Sequence, residues 1–333
     1  MRRQSMMKPK IFIECALDQD IMALAEQYFD CSVGTANLTL QNKYDALQGC
    51  VGYVVPMGNI TRELLQACPT LQVVSNIAVG YDNFDVQAMA EHHVIGTHTP
   101  YVLDDTVADL TVGLMLAVAR QITHLDKWIR TEQWQAGVPE TLFGIDVYGK
   151  KVGIIGMGRI GEKIAKRLKY GFDMSIHYYN RSRKPRIEQA YGAVYQSLNE
   201  ICATCDFIIV MLPLTDQTKE IIGQVQFACM QEHAIFINTA RGGVVDEQAL
   251  LNALKEQRIQ GAGLDVFTTE PLPADHPFTQ LDQVVLTPHI GSATLATRNA
   301  MQRTAINNLK AILYQQGEAH IVPELQHLVN NER

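Results

Sequence analysis

The sequence predicts an α/β protein of two doubly wound units, each a parallel sheet flanked by helices, and three observations carry that prediction. Short apolar runs alternate with helical patterns along almost the whole chain, the mark of βαβ units and parallel strand pairing. A chain of 333 residues exceeds the size at which a single hydrophobic core usually stops growing. Six strand-like runs also follow one another in the second half, the strand number of a complete doubly wound sheet.

Taken in order, the first third offers the strands "KIFIE", "GYVV", "LQVVSNIA" and "VIGTHT", each followed by polar or amphipathic sequence, and so a small α/β unit. Asp104 to Arg130 then reads as one long helix, acidic where it opens and basic where it closes, as the helix dipole favours. Its greasiest part, Leu110 to Ala119, lies between Asp109 and Arg120. That is too short for a bilayer, which takes about 20 residues, so a buried helix is expected. The six later strands are "VGIIG", "MSIHYY", "DFIIVML", "AIFINT", "GAGLDV" and "VVLTP". The last helical stretch, "SATLATRNAMQRTAINNLKAILYQQ", is not needed to complete that sheet and is expected to pack on the first unit.

Hydrophobic residues make up 47% and charged residues 19%, an ordinary globular mixture. A net charge of −7 and a pI near 5.8 argue against a broad basic face for nucleic acid. Seven scattered Cys suit reduced thiols and a cytoplasmic location better than a disulfide framework. The opening "MRRQSMMKPK" has neither a long apolar stretch nor a cleavage site, so no signal peptide is expected, and Met7 is an alternative start.

"GIIGMGRIG" carries G-x-G-x-x-G as Gly156, Gly158 and Gly161, directly after a strand and opening an amphipathic helix. Gly156 permits the tight turn, Gly158 lets backbone N–H groups approach a pyrophosphate, and Gly161 allows close packing of the helix. The residue that would bond a ribose 2′-hydroxyl is an acid about 20 positions later. Asn180 stands there, 19 residues past Gly161, followed by Arg181, Ser182, Arg183 and Lys184. A carboxylate would repel a 2′-phosphate, whereas an amide, a hydroxyl and guanidinium forks would bind it. The expected cofactor is NADP, with NADPH preferred over NADH; a solvated basic loop is the alternative.

Ligands of open α/β sheets sit beyond the carboxyl ends of the strands. Those positions hold Pro213, Arg241, Asp265, Glu270 and His289. Reduction of a 2-oxo acid needs an anchor for carboxylate and carbonyl, a proton donor, and a group that keeps the donor protonated. Arg241, His289 and Glu270 can supply them in that order. Each has a structural alternative: a cap or ion pair with Asp246 for Arg241, a turn before Pro271 for Glu270, a buried imidazole for His289. His92, His93 and His98 show no metal-ligand spacing, and Cys202 with Cys205 forms a lone C-x-x-C, read as packing. No metal is expected.

Over nearly its whole length the chain resembles the D-isomer-specific 2-hydroxyacid dehydrogenases, and within them the bacterial glyoxylate/hydroxypyruvate reductases, or 2-ketoaldonate reductases. The segments "VGYDNFDV", "HTPYVLDDTVADL", "GIIGMGRIG", "AIFINTARGGVVDE", "GLDVFTTEPL" and "TPHIGSATLATR" carry the resemblance. It implies two Rossmann-like domains with doubly wound parallel sheets and the cleft between them: residues 7–104 with 294–333 for substrate, and 105–293 for NADP. It implies that Arg241, Glu270 and His289 form the catalytic set, that the Val79 and Gly80 N–H groups join Arg241 and His289 in binding substrate, and that Asp265 orients the nicotinamide carboxamide. Thr106 would line the nicotinamide pocket. The expected cofactor contacts are completed by Arg159, Ile160, Leu212, Pro213, Thr218, Thr239, Ala240, Arg241, His289 and Gly291. Formate dehydrogenases carry glutamine at the place of Glu270, and phosphoglycerate dehydrogenases usually prefer NAD, which separates both from this chain.

The function expected is NADPH-dependent reduction of glyoxylate and hydroxypyruvate, with 2-keto-D-gluconate as the alternative substrate. A dinucleotide-sensing binding protein of corepressor type is the alternative class. The expected partners are the small 2-oxo acid and a second copy in a homodimer, with no nucleic acid and no membrane.

Overall fold

The computed structural model describes residues 7–35 and 38–330. The opening positions 1–6, where no leader is expected, lie outside the described residues. The chain divides into two compact units, Met1–Leu103 with Ala293–Arg333, and Asp104–Ser292.

The first unit alternates β1 (Lys10–Ile13), α1 (Gln19–Tyr28), β2 (Asp30–Val33), α2 (Leu40–Leu47), β3 (Gly52–Val55), α3 (Arg62–Ala67), β4 (Val73–Asn76), α4 (Val86–Glu91) and β5 (Ile95–Thr97). The five strands pair in parallel in the order β2-β1-β3-β4-β5. The expected strands are present, and β2 is added to them. Its "DCSV" is too polar and too exposed to stand out, because β2 is an edge strand covered on one side only.

The second unit opens with α5 (Asp104–Ala119) and α6 (Ile122–Arg130). The single long helix expected there is in fact broken, with a 60° bend between the two parts. Thr111, Leu114, Met115, Val118 and Ala119 of α5 are buried, whereas α6 buries none of its residues. The break follows from that change of surroundings. Gln121 takes a left-handed φ of 51°, and the returning chain docks the Ile145 N–H on the Ala119 carbonyl at 2.9 Å. Among the described residues no single helix is long and apolar enough to cross a membrane.

There follow β6 (Lys151–Ile155), α7 (Arg159–Phe172), β7 (Ser175–Tyr179), α8 (Pro185–Tyr191), β8 (Val194–Tyr195), α9 (Leu198–Thr204), β9 (Phe207–Val210), α10 (Gln224–Cys229), β10 (Ile235–Asn238), α11 (Glu247–Lys255), β11 (Gly261–Leu264) and β12 (Val284–Leu286). The sheet has seven parallel strands, not six, in the order β12-β11-β10-β9-β6-β7-β8. The missing strand is β8, only two residues long at the edge, where no apolar run is required. Central strands are buried on both faces: Ile208 and Val210 enter one core, Phe207 and Ile209 the other. Cys202 and Cys205 belong to the first of these cores, and burial pushes their thiols up to about 12 and about 11, which suits packing. The chain then returns to the first unit as α12 (Leu295–Leu313), which packs on β4, β3 and α1 as expected.

Candidate active site

Within the Asp104–Ser292 unit, the segments leaving the carboxyl ends of β10, β11 and β12 carry Arg241, Glu270 and His289. Glu270 and His289 touch, with carboxylate Oε2 2.7 Å from Nδ1. An ionised carboxylate can only accept, so Nδ1 carries the shared proton and Nε2 is the ring nitrogen left for chemistry. The second carboxylate oxygen accepts the Phe267 N–H at 2.9 Å. Partial burial pushes the Glu270 carboxyl up, but the bonds from His289 and Phe267 and the charges of His289 and Arg241 outweigh it and hold it below the ordinary value.

His289 has a φ of 52°, a left-handed conformation that a non-glycine residue adopts only when its surroundings impose it. Asp265 imposes it here. Its Oδ1 accepts the Thr287 hydroxyl at 2.7 Å and the Ile290 N–H at 2.8 Å, and its Oδ2 accepts the Gly291 N–H at 2.9 Å. The His289 N–H returns to the Asp265 carbonyl at 2.9 Å. Asp265 is 1% exposed, and burial raises its carboxyl pKa against those bonds.

Asn238, the last residue of β10, closes the turn that presents Arg241. It accepts the Ala240 N–H at 3.1 Å and donates to the Arg241 carbonyl at 2.9 Å. The next residue is glycine for want of space: a Cβ on Gly242 would fall 2.0 Å from the Phe267 carbonyl carbon.

The glycine turn joins β6 to α7. Gly156 has a φ of 109°, and a Cβ there would lie 2.5 Å from the Met211 carbonyl oxygen. Over Gly158 the space is open, and α7 begins at Arg159 and Ile160 with no side chain capping it. Open space at the start of a helix, where the first N–H groups have no intrahelical acceptor, suits a diphosphate. The Arg159 guanidinium is held beside it, Nε 3.1 Å from Asp104 Oδ2. Asp104 is buried, and its other oxygen has no partner among the described residues.

The remaining expected cofactor residues lie in the same unit. Thr106 is in the first turn of α5, Leu212 and Pro213 follow β9, and Thr239 and Ala240 follow β10. The Thr218 hydroxyl donates to the Pro213 carbonyl at 2.6 Å, and the Thr239 hydroxyl lies 2.8 Å from that of Thr111. After β7, Asn180 Nδ2 donates to the Ser182 carbonyl at 3.2 Å. Arg183 is committed to Glu188 through Nε at 3.0 Å and Nη2 at 2.6 Å, and Tyr178 donates to the same carboxylate at 2.6 Å. Arg181 makes no ion pair among the described residues.

Val79 and Gly80 lie in the other unit, in the loop after β4. Their carbonyls are both occupied: His98 Nδ1 is 2.8 Å from the Val79 oxygen, and Asn76 Nδ2 donates to the Gly80 oxygen at 2.8 Å. Among the described residues no hydrogen bond runs from either N–H. Asn76 and His98 escape sequence reasoning because neither has ligand spacing. The available signals are that Asn76 stands three residues before the motif "VGYD" and that His98 opens the segment "HTPYVLDDTVADL".

A family profile described as D-isomer specific 2-hydroxyacid dehydrogenase, NAD binding domain, matches residues 112–291. A probable 2-ketogluconate reductase of Dictyostelium discoideum is 45% identical over 274 residues, 82% of each chain. A glyoxylate/hydroxypyruvate reductase B of Yersinia pestis (strain Pestoides F) is 43% identical over 306 residues, 91% of this chain and 94% of that one. Among solved structures, an NADPH-dependent glyoxylate/hydroxypyruvate reductase of Sinorhizobium meliloti, in complex with NADP and malonate, superposes with a TM-score of 0.83. It is 32% identical and covers 96% of this chain and 98% of its own.

Proposed function

The chain belongs to the D-isomer specific 2-hydroxyacid dehydrogenase family, and from that premise we propose that it reduces small 2-oxo acids with NADPH, glyoxylate to glycolate and hydroxypyruvate to D-glycerate. The observation that carries this reading is the 2.7 Å contact between Glu270 and His289. It makes a strand-end imidazole a proton donor backed by a carboxylate. The nicotinamide supplies the hydride when bound.

His289 gives its Nε2 proton to the carbonyl oxygen as that oxygen gains charge. Glu270, kept ionised, stabilises the imidazolium that delivers the proton. The Arg241 fork holds the substrate carboxylate and polarises the carbonyl. The free N–H groups of Val79 and Gly80 also take the carboxylate, their peptides fixed through the carbonyls by His98 and Asn76. Gly158, the start of α7 and Arg159 would hold the cofactor's diphosphate. Asp265 would orient the nicotinamide carboxamide, and Thr106, Leu212, Pro213, Thr218, Thr239, Ala240 and Gly291 would line the cofactor's path.

The preference for NADPH rests on Asn180, where an acid would repel a 2′-phosphate, and on Arg181, which no carboxylate among the described residues neutralises. The named cofactor of the Sinorhizobium meliloti relative supports it. A second substrate, 2-keto-D-gluconate, is favoured by the name of the Dictyostelium discoideum relative. The protein is further proposed to pair with a second copy through the exposed apolar segment that begins at α6.

Initial rates of NADPH and NADH oxidation with glyoxylate, hydroxypyruvate and 2-ketogluconate test the reading. The expected result is a preference for NADPH and turnover of at least one acid. Equal or better efficiency with NADH removes the cofactor assignment, and silence with all three acids removes the substrate assignment.

A further inference from the structure

Glu247 is the first residue of α11, beside the Asp246 that caps that helix. Its carboxylate reaches out of the helix: Oε1 accepts the Thr268 N–H at 2.6 Å, across 21 residues of sequence. The peptide joining Phe267 to Thr268 is also the surface on which Gly242 sits. A Cβ on Gly242 would meet the Phe267 carbonyl carbon at 2.0 Å and the Thr268 nitrogen at 2.3 Å. One peptide earlier, the Phe267 N–H fixes Glu270 Oε1 at 2.9 Å. One short stretch of backbone therefore links the turn that carries Arg241 to the carboxylate that holds His289.

Packing holds only one end of that stretch, because Phe267 is buried in the core while Thr268 and Thr269 are exposed. A charged acceptor on a backbone N–H is among the stronger hydrogen bonds and fixes the peptide plane as well as its position. Reacting groups lose much of their advantage when displaced by even about 1 Å. We propose that Glu247 is a positioning residue for the reaction: by gripping the Phe267–Thr268 peptide it sets the Glu270 carboxylate against His289, in register with Arg241. The inference rests on the reading of Glu270 and His289 given above.

The bland role for an acid at this place is to start α11, where negative charge is favoured. Two substitutions separate reach from charge. E247D keeps the charge in the first turn but is shorter by one carbon–carbon bond, about 1.5 Å, and loses its hold on Thr268. E247Q keeps the acceptor and gives up the charge.

The experiment measures kcat, the pH profile of kcat/KM, NADPH affinity by fluorescence and melting temperature for E247D, E247Q and E247A, with H289A alongside. E247D is expected to melt like the parent and bind NADPH within about twofold, while kcat falls about tenfold or more. The acid limb of its profile moves to higher pH as Glu270 loses the Phe267 N–H. E247Q keeps at least about half of the parent kcat, since the acceptor remains. Parental kcat and an unmoved acid limb in both E247D and E247A overturn the inference while H289A is inactive. An H289A enzyme that turns over normally instead overturns the reading of the site on which it rests.

Discussion

A carboxylate that steadies an imidazolium works only while ionised, so the depressed pKa of Glu270 has a consequence in pH. An acid whose folded value lies below its unfolded one contributes stability that is fully present above the unfolded value. That contribution is lost as pH falls through the folded one. The Glu270–His289 contact should therefore survive acidification through the ordinary glutamate range, and kcat/KM should fail on its acid side only below that range. Above the parent's acid limb E270Q should lose about 10²-fold in kcat/KM, because the amide cannot stabilise the imidazolium, and the difference should shrink below that limb, where Glu270 itself is neutral. A parent enzyme whose acid limb lies at or above the ordinary glutamate value would contradict this. The cations after β7 make a second residue-scale prediction, because they are not equivalent. Arg183 already spends two donors on Glu188, whereas Arg181 spends none on a carboxylate among the described residues. A charged hydrogen bond is worth about 1.5–3 kcal/mol, or about 10- to 150-fold in affinity. R181A should thus cut the NADPH-over-NADH ratio of kcat/KM by about tenfold or more, and R183A by clearly less; the reverse order would move the 2′-phosphate to Arg183.

At the scale of elements, the loop after β4 invites a test of binding apart from chemistry. Asn76 is 1% exposed and donates to both the Gly80 carbonyl and Asn83 Oδ1. N76A should cost about 1–3 kcal/mol of stability in urea unfolding, as a buried acceptor loses its donor. It should also raise KM for the 2-oxo acid several-fold while kcat holds, since loosened N–H groups would bind substrate and transition state equally less well. A fall in kcat at constant KM would take Asn76 out of substrate binding. The elements themselves were legible in proportion to their burial. Strands covered on both faces, such as "FIIV" and "IFIN", announce themselves as apolar runs, while the edge strands β2 and β8 carry no such demand and were missed. The break between α5 and α6 was hidden for a related reason. Helix propensity is continuous through Arg120, and α5 ends where Gln121 turns left-handed and Ile145 returns to the Ala119 carbonyl. In the site, Arg241, Glu270 and His289 could be read because strand ends are marked in sequence. Asn76, His98, Asp104 and Glu247 act on groups far along the chain or on backbone atoms, and no local pattern records such a contact.

For the molecule as a whole, the distribution of exposed apolar side chains bears on its assembly. Ile122, Ile129, Trp134, Val138, Phe143 and Tyr148 are between 46% and 71% exposed, and all six fall within 27 consecutive residues. Scattered apolar residues on a surface need no explanation, but six in one segment are where the proposed pairing with a second copy is best tested. Because α6 buries none of its own residues, its fold within the chain does not account for that apolar face. A second copy of the chain would account for it, with aromatic residues such as Trp134 and Phe143 as the energetic centre of a symmetric contact. Light scattering on the purified protein should then give about twice 37.2 kDa. The double variant W134E and F143E, at two positions each 58% exposed, should fold as the parent does yet give a mass near 37.2 kDa, since charges opposed across the two-fold axis repel. A parent protein that scatters as a single chain at micromolar concentration would make the segment ordinary surface. A dimer untouched by the double variant would place the contact elsewhere on the molecule.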